Sequence, residues 1–331
     1  YTTRYGHDVD IVSNSFPVLR GEQTIGGFSL MEDWAMVDQL HKQIIDLQEK
    51  LTELTSPGNK RSTKSTLTAK YHFQDITHVS TAMHDIITHC KQAAKSDSSV
   101  MIYGETGTGK ELIAQSLHNA SKRANGPFLA INCAALPEPL LESLLFGTER
   151  GSYTGAESRA GLFEQANHGT LLLDELNSMN ISVQSKLLRV LQDGMVRRVG
   201  SVSETHVDVR VLSSINVPPY QAIAEGNLRQ DLFYRLGVVN ITVPPLRERR
   251  EDIPLLVAHF VEKVVADNNM PSKTFSTEAL NYLTGYEWPG NIRQLENVVE
   301  SCLVLVPGSI IEVDNLPAEI RDEESQFKSA V

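Results

Sequence analysis

The segment Ser99–Ala120 constrains this chain more than any other part of it. An apolar strand, Ser99–Tyr103, runs into Gly104-Glu105-Thr106-Gly107-Thr108-Gly109-Lys110, and a helical segment, Glu111–Ala120, follows. The spacing is GxxxxGK, and a strand before it with a helix after it is the setting in which that spacing marks a phosphate-binding loop. Glycines let backbone N–H groups turn inward around an anion, and the helix N-terminus adds a favourable dipole. Lys110 is placed to reach the terminal phosphates of ATP. Glu111 stands where the general motif has Ser or Thr to hold magnesium, so the metal needs phosphates, water and another acidic residue.

That residue is at hand. Thr170-Leu171-Leu172-Leu173-Asp174-Glu175 is an apolar strand ending in two carboxylates. Asp174 can orient Mg2+ through its water shell, and Glu175 can polarise an attacking water. Alone, such a sequence is a strand end with solvated acids; the P-loop upstream gives it chemical meaning.

The rest of the chain fits an α/β ATPase with appended parts. Further strands are expected at Phe128–Asn132, Val207–Ile215 and Val238–Val243, with helices between, which indicates a parallel sheet covered on both faces. After Pro244-Pro245 the strands are expected to stop, and Ile253–Ala266, Thr277–Gly285 and Asn291–Val304 read as helices of a small second domain. Ahead of the body, Asp10–Arg20 and Thr24–Leu30 flank a turn at Gly21-Glu22-Gln23 and form a hairpin signal. Two strands are not a stable domain, so partner strands are expected elsewhere. Val37, Leu40, Ile44, Leu47, Leu51 and Leu54 form a heptad seam. It reads as a short coiled coil or signalling helix, or as a stripe packed on its own domain. Residues 55–70 are polar and read as a linker.

Bulk properties narrow the partners. The chain has 331 residues, 41% hydrophobic and 21% charged, with a net charge of −11. A strongly acidic chain is a poor general binder of nucleic acid, whose affinity comes largely from neutralised phosphates. The cluster Arg247, Arg249, Arg250 is interrupted by Glu248 and followed by Glu251 and Asp252, and reads as a hinge between subdomains. Cys90, Cys133 and Cys302 form no CxxC pair, so neither a disulfide framework nor a zinc site is indicated. No apolar run approaches the roughly 18 residues of a membrane span.

Together these residues resemble the AAA+ domain of bacterial enhancer-binding proteins, the nitrogen-regulator-type activators of sigma-54 RNA polymerase. The resemblance covers residues 71–320, with an α/β subdomain at 71–245 and a helical lid at 246–320. In that family Glu is usual after the P-loop Lys, which accounts for Glu111. Several roles are implied by the resemblance alone. Asn132 would hydrogen-bond Glu175 and couple nucleotide state to the remodelling loops. Asn216, ending Val209–Asn216, would help place the water. Arg229 and Arg235, in Leu228–Leu236, would act as arginine fingers on a neighbouring subunit's nucleotide. Arg293, in Trp288–Glu296, would be the lid's sensor; by residue type, Asn291 reads as the N-cap of its helix.

The resemblance also implies partners. Gly151-Ser152-Tyr153-Thr154-Gly155-Ala156 corresponds to the family's G-A-F-T-G-A loop, which engages sigma-54, and departs from it at Ser152 and Tyr153. A second loop around Asp193–His206, with Arg197 and Arg198, would support the first. Residues 1–33 look like the closing strands of a PAS sensor and 34–54 like its exit helix. That combination is similar to cytoplasmic, inducer-responsive regulators of amino-acid catabolism, arginine among them. The implied partners are sigma-54 RNA polymerase holoenzyme, the chain itself from a dimer to a hexamer or heptamer ring, and a small-molecule inducer. Enhancer DNA would be bound only through a C-terminal helix-turn-helix, and the acidic tail 321–331 holds none. Removal of that domain is the first reading, and a DNA-independent activator the second. A different-class alternative is an AAA+ regulator that uses nucleotide-driven assembly to act on another polymerase form or protein client.

Overall fold

The structure, a computed structural model, describes residues 11–20, 23–33, 68–151 and 158–321. The heptad segment, nearly all of the linker, Ser152–Ala156 and the tail lie outside the described residues. Two compact units are present, one comprising 1–66 with 149–157, the other 67–148 with 158–331. In the first, β1 (Ile11–Arg20) and β2 (Gln23–Asp33) pair antiparallel from Ile11↔Asp33 to Arg20↔Gln23, as the hairpin signal indicates.

The second unit is built on five parallel strands: β3 (Val100–Tyr103), β4 (Phe128–Asn132), β7 (Thr170–Asp174), β10 (Arg210–Ile215) and β11 (Val239–Thr242). Their order is β11-β3-β10-β7-β4. Side chains alternate across the sheet. Met101, Leu171, Leu173, Val211 and Ile215 pack with one face's helices, whereas Val100, Ile102, Leu172, Leu212 and Ile241 pack with the other's. The first face is covered by α3 (Glu138–Phe146), α5 (Ile181–Asp193) and α7 (Gln230–Leu236), which contribute Leu145, Leu187 and Leu232. The second is covered by α1 (Thr81–Ala93) and α2 (Lys110–Asn119), which contribute Ile87 and Leu117. The short helices α4 (Leu162–Gln165) and α6 (Pro219–Ala224) fill connections.

Two short antiparallel ladders leave this body: β5 (Gly147–Thr148) with β6 (Arg159–Ala160), and β8 (Met195–Arg197) with β9 (Glu204–His206). The strand expected over Val207–Ile215 therefore starts three residues late. Val207 N instead bonds Gly194 O, and Asp208 O accepts from His168 N, which turns the chain between β9 and β10.

The lid packs α8 (Ile253–Asn268), α9 (Thr277–Gly285) and α10 (Asn291–Leu305) around Leu256, Leu283, Trp288, Leu295 and Val299. Contrary to the expectation from the sequence, strands do not stop at Pro245: β12 (Thr274–Phe275) and β13 (Ile310–Ile311) pair in parallel. Two residues each are too short to show an alternating pattern. Trp288 is fully buried in the left-handed region at φ 50°. Its indole N–H donates to Leu283 O at 2.7 Å, and its ring meets Tyr286 edge-on at 5.1 Å.

Candidate active site

Ligand sites in open α/β sheets form at the carboxyl ends of the strands, and four neighbouring strands here deliver polar groups to that edge. β3 ends at the Gly104 loop, β4 at Asn132, β7 at Asp174 and Glu175, and β10 at Ser214 and Asn216. The strand order puts β10 between the P-loop strand and the acidic strand. Register holds Asn132 opposite Asp174.

In the loop, Gly107 and Gly109 lie at φ 81° and 94°, a region that favours glycine. Lys110 is buried, its ammonium donating to Gly104 O at 2.7 Å and Glu105 O at 3.1 Å. Burial pulls its pKa down, the charges of Asp174 and Glu175 push it back up, and Arg293 pulls it down again. Lys110, both carboxylates and the lid arginine therefore share one electrostatic neighbourhood.

The loop's outer side is held by the lid and its hinge. Ile292 N donates to Gly107 O at 3.0 Å, the Asn291 amide to Thr106 O at 3.1 Å, and the Arg249 guanidinium to Thr108 O at 3.0 Å. Arg247 forms a two-pronged ion pair with Glu105 at 2.6 and 2.8 Å, which holds the Glu105 carboxyl below its usual pKa. A side chain at Gly107 would collide with Gly290 O. With these carbonyls engaged, the N–H groups of Thr106, Gly107 and Gly109 have no acceptor among the described residues. Left-handed glycines, N–H groups left without an acceptor among the described residues and a buried ammonium fit a phosphate chain. Arg247 and Arg249 thus tie the P-loop to the start of the lid, where the sequence reads a hinge. Arg249 is buried deeply enough for its pKa to fall to about 10, and Asp252 accepts from Val79 N, Ser80 N and Ser80 Oγ at 2.6 to 2.8 Å.

Two expectations are corrected, one from a cap rule and one from the resemblance. Asn291 does not cap α10, since Gly290 holds that position. Asn291 itself is fully buried at φ 51°; its Oδ1 accepts from Leu246 N at 2.8 Å while its amide donates to Glu105 and Thr106. A local cap rule missed these long-range acceptors. Asn132 donates to Asp174 at 3.3 Å rather than to Glu175, because β4–β7 register sets it opposite Asp174. Glu175 lies in the left-handed region at φ 53°.

Ser214 was not singled out by sequence. Its hydroxyl donates to Asp174 and accepts from Glu175 N at 3.1 Å. The signal was there, since Ser213-Ser214 interrupts an otherwise apolar strand. Asn216 Oδ1 accepts from Asn177 at 3.0 Å, and Asn177 Oδ1 is buried without a partner.

Arg229 and Arg235 are engaged away from the P-loop. Arg229 pairs with Asp231 at 2.7 Å and donates to Ser185 Oγ at 3.0 Å, while Arg235 donates to Leu191 O at 2.7 Å. Of the expected contact loop, Gly151 is described, at φ 85°, and Ser152, Tyr153, Thr154, Gly155 and Ala156 lie outside the described residues. The loop springs from the β5–β6 ladder. The second loop braces that base: Val199 N donates to Gly147 O at 2.9 Å, and Arg198 reaches Ser158 Oγ at 3.1 Å and pairs with Glu164 at 2.7 Å.

Comparison with known proteins agrees with this arrangement. The family model described as "Sigma-54 interaction domain" matches residues 76–242, and that described as "AAA+ ATPase lid domain" matches 247–330. The chain is 41% identical over 322 residues to the transcriptional activator RocR of Bacillus subtilis, covering 97% of this chain and 66% of that protein. It is 49% identical over 243 residues to the regulatory protein AtoC of Escherichia coli, covering 73% of this chain and 53% of that one. The chain thus spans between half and two thirds of these relatives. Crystallised NtrX of Brucella abortus in complex with ATP is 34% identical with a TM-score of 0.70, over 90% of this chain and 64% of that one. With P-loop, acidic strand and lid in one AAA+ arrangement, and both halves matched, the chain belongs to the family of sigma-54 interaction domain proteins of the nitrogen-regulator type.

Proposed function

We propose that this chain is an ATP-hydrolysing remodeller of sigma-54 RNA polymerase holoenzyme, a transcriptional activator whose hydrolysis is completed between subunits. The observation that carries the proposal is the convergence of Lys110, Asp174, Glu175 and Ser214 at one sheet edge, in a chain matched by the sigma-54 interaction domain. The relatives' names as transcriptional activator and regulatory protein, and the ATP complex of NtrX, support it.

In this reading the N–H groups of Thr106, Gly107 and Gly109 and the ammonium of Lys110 hold the phosphates. Glu175 orients the attacking water, with Ser214 fixing its backbone and Asn216 beside it. Asn132 and Ser214 hold the Asp174 carboxylate in place. Mg2+, when bound, neutralises charge on the transferred phosphoryl group. Among the described residues no group of three or more His, Cys, Asp or Glu side chains forms a metal cage. Asp174 would hold the ion, together with water and the nucleotide's phosphates. Arg293 reads nucleotide state from the lid. Arg229 and Arg235 serve a neighbouring copy's nucleotide in a ring. The hairpin belongs to a PAS-like sensor that responds to a small-molecule inducer. No helix among the described residues is long and apolar enough to cross a membrane.

The test is ATP-dependent open-complex formation on a sigma-54 promoter. Wild type forms open complexes; Thr154→Ala keeps its ATPase activity and loses them. Equal open-complex yields from both proteins would remove the loop from the mechanism. An active ATPase without any open complexes would favour a different polymerase form or client, the reading that Ser152 and Tyr153 sustain.

A further inference from the structure

Gln184, on α5, is a polar side chain with no solvent exposure and with its amide fully used. Its Nε2 group donates to Met179 O and to Asn227 O, both at 2.8 Å, and its Oε1 accepts from Arg229 N at 3.0 Å. Met179 closes the turn that follows Glu175, since Met179 N bonds Leu176 O and Ser178 N bonds Glu175 O. Asn227 and Arg229 bracket the entry to α7. One side chain therefore ties the exit of the acidic strand to the segment that carries the outward arginines, across more than 40 residues of sequence.

The rest of α5 points the same way. Ser185 Oγ accepts from the Arg229 guanidinium at 3.0 Å, and Leu191 O accepts from Arg235 at 2.7 Å. The helix leaves the acidic strand and presents both arginines. Packing alone does not require an amide at Gln184: a buried amide must have each polar atom paired to avoid a desolvation cost, and an aliphatic chain of similar size would fill the space without that demand. What only the amide supplies is a fixed distance between Met179, Asn227 and Arg229.

We propose that Gln184 is a positioning residue for Arg229: it couples the water-activating end of a subunit's own site to the arginine which that subunit lends its neighbour. The inference rests on Arg229 acting in trans, as under the proposed function. Loss of Gln184 then damages what a subunit gives and spares what it binds. A displaced catalytic group costs up to about 100-fold in rate for a shift near 1 Å.

The test uses the whole chain and mixed assemblies. Gln184→Met is expected to bind ATP within about twofold of wild type and to lose about 10- to 100-fold in ATPase rate. Mixed one-to-one with Lys110→Ala, which binds no ATP and keeps its arginines, it regains activity; mixed with Arg229→Ala it regains none. Ser185→Ala, on a half-buried position that tolerates truncation, gives the same pattern with a smaller loss, so the idea stays testable if Gln184→Met folds poorly. Wild-type turnover by folded Gln184→Met overturns the proposal. So does failure of Lys110→Ala to restore Gln184→Met while it does restore Arg229→Ala. If Lys110→Ala restores neither, the trans role of Arg229 falls, and the role of Gln184 falls with it.

Discussion

At the residue scale, the site divides into groups that hold nucleotide and groups that use it. Lys110→Ala is expected to raise the ATP dissociation constant at least about 100-fold, because a buried ammonium on the phosphates has no substitute. Glu175→Ala is expected to bind ATP normally and turn over at a residual rate; isothermal titration with a phosphate-release assay separates the two. These residues were legible because their spacing is local: GxxxxGK and an apolar strand ending in Asp-Glu lie within a few residues each. Ser214, Arg249 and the acceptors of Asn291 were not, because their partners lie 40 to 186 residues away. A second residue-scale effect concerns His118, buried between α2 and β7 with Nδ1 at 2.8 Å from Thr170 Oγ1 and Nε2 unpaired. Burial, aided by Arg210, lowers its pKa from 6.5 to about 4. The unfolded chain therefore binds the proton first. Stability is complete above about pH 6.5 and declines as pH falls toward 4, by up to about 3 kcal/mol. Urea titrations of wild type and His118→Gln at pH 7 and 4.5 should show that slope in wild type only.

At the element scale, the P-loop and lid behave as one piece. Carbonyls of three successive loop residues accept from the lid or its hinge, and Glu105 is fixed by Arg247. Asn291→Ala leaves Leu246 N and Thr106 O without partners, at an expected cost of about 1–3 kcal/mol. It should also weaken ATP by up to about tenfold, the equivalent of one lost charge-assisted hydrogen bond. Thermal unfolding with and without nucleotide checks both. The elements themselves were largely readable: β4 and α9 fall on their expected bounds, and β3, β7, β11, α8 and α10 within two residues. Those bounds rest on apolar runs cut off by Gly, Pro or charge. The region around Val207 and the two-residue lid strands failed the same logic. In the first, an apolar alternation continues through a turn set by backbone bonds to Gly194 and His168; in the second, nothing is long enough to alternate.

At the scale of the molecule, a parallel sheet was legible but its order was not. Strand period says which face a residue occupies, not which strand lies beside it. The order places β10 against β3, and with it Ser214 between the phosphate loop and the acids. The outward arginines predict that specific ATPase activity rises with protein concentration and falls on dilution, as subunits separate. A dilution series by coupled assay would show this for wild type, with Arg229→Ala flat at its residual rate.

Trp288 gives this architecture an optical handle. The chain has two tryptophans, and with Trp34→Phe the emission comes from Trp288 alone. Its ring is enclosed in the lid core, and two residues on, Gly290 presses against Gly107 of the phosphate loop. An indole emits in the blue while dry and shifts red on hydration. Stopped-flow fluorescence of the unlabelled protein therefore reports whether nucleotide changes the packing of the lid core.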